Sequence, residues 1–224
     1  MIRVLFTAAL ALALGCVGLA PRTGHAQSPH THEHSFSGAE HWARVFDDPE
    51  RDLWQKPHQV IEALALKPAA AVADIGAGTG YFAARLAHFV PRGRVYAVDI
   101  EPDMVKYLAE RARREHLDNL TAVAGAPDDA RLPQKVDLVL LVDTYHHIGQ
   151  RESYFRKLAR SLKPGGRVAI IDFNAQSAMG PPPGARIAAT RVAAEMSGAG
   201  YLLLSEHHFL PNQYFLVFQL KAPG

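Results

Sequence analysis

Apolar positions along the chain change their period several times, and each change marks a predicted element. From Trp42 to Leu66 they recur at steps of three and four, with Trp42, Val45 and Phe46 on one stripe and Val60, Ile61 and Leu64 on another. Asp48-Pro49 and Pro57 interrupt this pattern, so it predicts several short helices. Beyond residue 69 the pattern becomes a set of continuous apolar runs of strand length: Ala70 to Ile75, Arg94 to Ile100, Leu120 to Ala124, Val136 to Val142 and Arg167 to Phe173. Such runs suit parallel strands covered on both faces. Helical spacing returns between them, through Phe82, Leu86, Phe89 and Val90, then Met104, Val105, Leu108, Ala109 and Ala112, then Tyr154, Phe155, Leu158, Ala159 and Leu162. Lys163-Pro164-Gly165-Gly166 is a helix stop. Met179-Gly180-Pro181-Pro182-Pro183-Gly184 reads as a surface loop, and a helix is predicted over Ala185 to Met196. The last β-prone runs, Tyr201 to His207 and Tyr214 to Leu220, are separated by too few residues for a crossover helix and form an antiparallel pair. The sum is a doubly wound α/β fold, a seven-stranded and mostly parallel sheet that ends in an antiparallel hairpin.

The chain's beginning reads differently. Arg3 precedes an uncharged run from Val4 to Ala20, and Gly24-His25-Ala26 offers small residues where a signal peptidase cuts, so residues 1–26 are expected to be an export signal, with a periplasmic destination. The alternative is a retained anchor over residues 4–20, since 17 apolar residues reach the short end of a membrane span. Residues 27–41 carry His30, His32, His34 and His41 among polar residues and are expected to be a flexible arm with weak metal affinity. Residues 42–224 then make one domain, with 42–66 as lid helices. Removing 1–26 takes away Arg3 and Arg22 and no acid, leaving 22 bases against 22 acids, which gives no reason to expect a nucleic-acid partner. It also removes Cys16, the single cysteine, and with it any disulfide or thiolate chemistry.

Candidate chemistry concentrates after the first strand, where Val72-Ala73-Asp74-Ile75 runs into Gly76-Ala77-Gly78-Thr79-Gly80. Glycines at alternate places accept positive φ and let another group lie against bare backbone. A dinucleotide fingerprint needs a glycine at the sixth place, which here is Tyr81, so a nicotinamide site is disfavoured. Asp74 can take a ligand's ammonium or tie the turn's own amides. Asp99, 23 residues beyond Gly76, stands where an acid ending the second strand meets ribose hydroxyls, with helix capping as the competing role.

Asp74-Ile75-Gly76-Ala77-Gly78-Thr79-Gly80, Val98-Asp99-Ile100, Val136-Asp137-Leu138-Val139-Leu140 and Leu162-Lys163-Pro164-Gly165-Gly166, in this order and ahead of a terminal hairpin, resemble the class I S-adenosylmethionine-dependent methyltransferases over residues 42–220. The small-molecule members of the ubiquinone-biosynthesis type look most similar. The resemblance implies S-adenosylmethionine as cofactor and a small-molecule acceptor. It implies cofactor contacts at Asp74, Gly76, Ala77, Gly78, Thr79, Gly80, Asp99 and Asp143, adenine packing on Ile100, and an adenine-edge acid at Asp128. The strand-four end, Asp143-Thr144-Tyr145-His146-His147, would then face the transferred methyl, with His146, His147 and Tyr145 as candidate catalytic residues. A histidine titrates where it can take a proton from a hydroxyl or nitrogen acceptor. On an extended chain His146 and His147 would point to opposite sides, so one is expected at the pocket and the other in a structural role. Trp42 and Trp54 are expected in the lid, and His207-His208 at a loop edge. A different reading is a non-catalytic, exported protein that binds metal or another ligand on this fold.

Overall fold

A computed structural model describes residues 38–221. Residues 1–26, expected to be a signal and containing Cys16, and the histidines His30, His32 and His34 of the expected arm lie outside the described residues.

The prolines do break the first helical stretch. Helices α1 (Ala39–Phe46), α2 (Arg51–Gln55) and α3 (Pro57–Ala63) follow one another, and Pro57 begins α3, where its missing N–H is no loss. The strands are β1 (Ala71–Ile75), β2 (Arg94–Asp99), β3 (Leu120–Ala124), β4 (Val136–Val142), β5 (Leu162–Phe173), β6 (Tyr201–His207) and β7 (Gln213–Leu220). They form one sheet in the order β3-β2-β1-β4-β5-β7-β6, parallel except for β7, which runs antiparallel to both its neighbours. The strand order reverses between β1 and β4, which makes their carboxyl ends the switch point where doubly wound sheets take ligands.

Both faces are covered, as the continuous apolar strands require. α3, α4 (Tyr81–Phe89) and α5 (Pro102–Arg114) pack on one face through Val60, Ile61, Phe82, Leu86 and Leu108. α6 (Arg151–Leu158) and α7 (Ala189–Gly198) cover the other through Phe155, Leu158, Val192 and Met196. None of the described helices is long and apolar enough to cross a membrane.

Two predicted element starts and one predicted inward position differ. β5 begins at Leu162, which pairs with Val136 before the register jumps to Leu138 and Arg167, so Lys163-Pro164-Gly165-Gly166 forms a bulge inside the strand's start. α7 begins at Ala189 instead of Ala185. The Arg186 guanidinium donates to the carbonyls of Asn174, Ser177, Met179 and Pro181, and holding that loop together keeps residue 186 extended. Val45, assigned to an inward stripe with Trp42 and Phe46, is exposed.

Candidate active site

The glycine turn leaves β1 with positive φ at Gly76 (71°), Gly78 (55°) and Gly80 (92°). The reasons for these glycines differ from the expectation that all three lie bare for a ligand. A Cβ on Gly76 would overlap the side chain of Thr144 just beyond β4, and one on Gly80 would sit 2.9 Å from Leu108 Cδ2 on α5. Those two glycines admit the protein's own side chains. Only Gly78 faces α1, where a Cβ would stand 3.3 Å from the Phe46 ring. Trp42 stacks on Phe46 at 5.2 Å. Asp47 holds the same segment to Arg111 at 3.0 Å, and Arg111 also donates to the Thr79 carbonyl.

Asp99 reaches this turn from the end of β2. One carboxylate oxygen accepts the Gly78 N–H at 2.8 Å and the other accepts the Glu101 N–H at 3.0 Å. This carboxylate therefore ties the glycine turn to the residue that precedes the next helix. Burial raises its pKa against those N–H groups. Ile100 beside it is 57% exposed, so core packing does not account for it. Asp74 is buried at the end of β1 and takes the Ala83 N–H from the first turn of α4. Burial pushes its carboxyl to about 7, against the pull of Arg51. Thr79 Oγ1 is buried without a hydrogen-bond partner among the described residues.

The strand-four end gathers a second set of groups. Asp143 has φ 54°, a left-handed conformation that aspartate adopts more readily than most residues other than glycine, and accepts a hydrogen bond from Gln213 of β7. Gln55 of α2 donates to Gln213 at 2.7 Å, and Arg51 lies 3.6 Å from the Asp143 carboxylate. Burial pushes Asp143 to about 7, and Arg51 opposes the shift.

Tyr145-His146-His147 form a short 3-10 turn, not an extended strand. This corrects the expectation that the two histidines point apart, because a 3-10 turn brings their rings to 4.0 Å. His146 Nδ1 is 3.0 and 2.9 Å from the two oxygens of Asp172, near the end of β5. Asp172 also accepts the N–H groups of His146 and Phe173. That surrounding suits a donor at Nδ1 and leaves Nε2 on the far side of the ring. His147 is exposed beside it.

Two predicted site residues are corrected. Tyr145 is fully buried in the core, stacked on Phe155, and its hydroxyl donates to Glu195 of α7 at 2.6 Å. Burial would raise Glu195, but hydrogen bonds from Arg151, Tyr145 and Arg191 outweigh it and hold that carboxyl at about 2. Tyr145 therefore ties its turn to α7 and does not line a pocket. Asp128 is 81% exposed, and its carboxylate is paired with Lys157 of α6 at 3.1 Å, within a tight turn closed by Ala126 and Asp129. Its family-implied place at an adenine edge is not what the geometry gives.

Trp54 lies 6.0 Å from Phe173, at the end of β5. His207 packs on Phe215 at 4.5 Å and burial lowers its pKa, while His208 is exposed. Arg51, Gln55, Asp172 and Gln213 were not singled out by the sequence reading. Only the strand order brings them together, so no local motif marks them. A cavity of about 360 Å³ lined by Lys67, Asp137, Lys163 and Arg167 sits at the opposite, amino end of the strands, with Lys163 already paired to Asp137 at 2.7 Å. Among the described residues no group of three or more His, Cys, Asp or Glu side chains is placed to hold a metal ion.

Residues 66–201 match a family model described as "Methyltransferase domain". The chain belongs to this family, within the class I S-adenosylmethionine-dependent methyltransferases. It is 28% identical over 126 residues to a ubiquinone/menaquinone biosynthesis C-methyltransferase of Shewanella frigidimarina, covering 54% of this chain and 49% of that protein. It is 32% identical over 102 residues to a malonyl-[acyl-carrier protein] O-methyltransferase of Acetivibrio thermocellus, covering 46% of this chain and 35% of the other. The chain thus spans about half or less of the length of these curated relatives. In fold it is similar to an S-adenosylmethionine-dependent methyltransferase structure from Aquifex aeolicus, with a TM-score of 0.75 at 24% identity over 82% of this chain and 98% of that one. The [4+2]-cyclase SpnF has a TM-score of 0.64 at 17% identity, covering 75% of this chain and 81% of that one. A shared fold leaves the reaction to the site.

Proposed function

We propose that this protein transfers a methyl group from S-adenosylmethionine to a small acceptor that carries a removable proton. The observation that carries the reading is Asp99, a nearly buried carboxylate drawn onto the glycine turn at the switch point, with Ile100 exposed next to it. The residues fit the cofactor's chemistry. The Asp99 oxygens keep lone pairs for ribose hydroxyls beyond the two N–H groups they accept. Asp74 is a buried carboxylate suited to an ammonium, Thr79 Oγ1 is an unmet polar atom in the same turn, and Ile100 offers an apolar face for adenine.

When bound, S-adenosylmethionine supplies a methyl carbon already activated on a sulfonium. What remains for the protein is alignment, exclusion of water and one proton. His146 takes the acceptor's proton on Nε2, while Asp172 fixes the ring and its tautomer through Nδ1. Trp54 and Phe173 supply an apolar wall on the same side. Asp143 and Gln213 tie the strand-four end to β7 and set the height of the 3-10 turn. The place of action we propose is outside the cytoplasm, on the strength of residues 1–26, and a mature amino terminus at Gln27 by mass spectrometry checks it.

Calorimetry on the full chain tests the central reading. S-adenosylmethionine and S-adenosylhomocysteine are each expected to bind with one-to-one stoichiometry. Folded protein that binds neither removes the proposal.

A further inference from the structure

We propose that Arg51 receives the carboxylate of the cofactor's amino-acid arm and, with Asp74, makes a two-sided receptor for that arm; this rests on the S-adenosylmethionine reading above. Arg51 opens α2, and its guanidinium lies 4.1 Å from the centre of the Tyr81 ring. Its Nε donates to Gln55 at 2.8 Å and one terminal nitrogen donates to the Phe46 carbonyl at 2.9 Å. These bonds fix the plane of the group. Among the described residues the other terminal nitrogen has only Asp143, at 3.6 Å, which is ion-pair range and too long for a hydrogen bond. A guanidinium has five N–H donors in a planar fork, so a pre-oriented set of them is left unspent at the mouth of the cradle.

The neighbouring groups identify the anion. Tyr81, under Arg51, and Ala83, whose N–H goes to Asp74, both belong to the first turn of α4. Arg51 is the strongest cationic influence on Asp74. A cation receptor and an anion receptor therefore flank one helix start. An α-amino acid presents its ammonium and carboxylate from a single carbon, and it needs such adjacent receptors of opposite sign. The competing role for Arg51 is an internal counter-ion that occupies the ammonium's place and must be expelled. The two roles predict effects of opposite sign.

The test compares S-adenosylhomocysteine with methylthioadenosine, which keeps the nucleoside and thioether and lacks the amino-acid arm, by calorimetry on the full chain. Arg51→Gln is expected to weaken S-adenosylhomocysteine about tenfold to hundredfold, the range for hydrogen bonds to a charged group. It is expected to leave methylthioadenosine within about twofold, and that retained binding shows that the variant is folded. Arg51→Lys is expected to recover part of the loss, because a point charge replaces a fork. Tighter binding of S-adenosylhomocysteine by Arg51→Gln overturns the proposal in favour of the internal counter-ion. Equal weakening of both compounds overturns it in favour of a lid distortion. If the unmodified protein binds neither compound, the cofactor reading itself fails, and this inference fails with it.

Discussion

At the ends of β1 and β2 the recognition groups are main-chain N–H groups and one carboxylate, drawn from a stretch of 26 residues between Asp74 and Asp99. At the ends of β4, β5 and β7 they are side chains: Asp143, His146, Asp172 and Gln213, joined by Arg51 and Gln55 from α2. The first half is local and leans on backbone shape. The second is assembled from residues 51 to 213, and its members bond chiefly to one another. On the proposed function, acceptor choice would be altered at the β4–β5–β7 end through α2 and the 174–186 loop, while the β1–β2 end keeps its geometry.

The sharpest way to break this division is at its border. Gly76 belongs to the local half, but the space it leaves is filled by Thr144 of the other, whose hydroxyl is anchored to the Val142 carbonyl at 2.9 Å. Gly76→Ala must adopt φ near 71° and also displace an anchored side chain, so a loss of about 2–4 kcal/mol in chemical denaturation is expected. Gly80→Ala meets the flexible end of Leu108 and should lose about 1–2 kcal/mol. Equal losses at the two positions would erase the border.

Next in size is a crossed pair. Asp99→Ala removes the acceptor of the Gly78 and Glu101 N–H groups and should weaken S-adenosylhomocysteine about tenfold to hundredfold by calorimetry. His146→Gln should leave that affinity within about threefold and lower turnover by about 10² to 10⁴, the usual contribution of a positioned base. If His146→Gln weakens cofactor binding as much as Asp99→Ala does, the two halves are one site.

Legibility in the sequence follows the same split. β3, β4 and β6 fall on their predicted residues; β4 does so because an apolar run buried on both faces leaves a continuous trace, whereas β3 and β6 are edge strands with mostly exposed or half-buried positions. The positive φ of Gly76, Gly78 and Gly80 was readable because a local motif fixes it. Arg51, Asp172 and Gln213 were not, because each is an ordinary polar residue until the strand order β1-β4-β5-β7 places them side by side. The wrong assignments have a common cause as well. Tyr145 and Asp128 were placed by their position after a strand, and their final partners, Glu195 and Lys157, lie 50 and 29 residues away. His146 and His147 were misjudged because a 3-10 turn begins where the strand pattern stops.

A smaller effect, on stability, probes the second half through pH. Asp143 titrates near 7 in the fold against 3.8 for an ordinary aspartate. Its folded form therefore binds more protons than its unfolded form between those values, and stability should fall as pH rises from about 4 to about 7, then level off. Its carboxylate keeps 22% exposure, so solvent moderates the slope to on the order of 1 kcal/mol over the window. Asp143→Asn removes the titration and should be more stable than the parent at pH 8, with the difference vanishing toward pH 4. Asp74 has the same direction and adds its own slope, so the variant is expected to flatten the curve in part. An unchanged slope in Asp143→Asn would mean that Asp143 stays ionised throughout.

The smallest expected effect separates geometry from resemblance most cleanly. Family resemblance puts an adenine contact at Asp128, whereas the structure gives its carboxylate to Lys157, with 81% of the side chain in water. An exposed pair of this kind contributes about 0–1 kcal/mol. Asp129 also reaches Lys157 at 3.1 Å, so the lysine keeps a partner when Asp128 is changed. Asp128→Asn should therefore alter stability by less than about 0.5 kcal/mol, and S-adenosylhomocysteine affinity by less than about twofold. A tenfold loss of affinity at unchanged stability would show that the turn at Ala126–Asp129 swings onto the ligand, and would extend the local half of the site past β3.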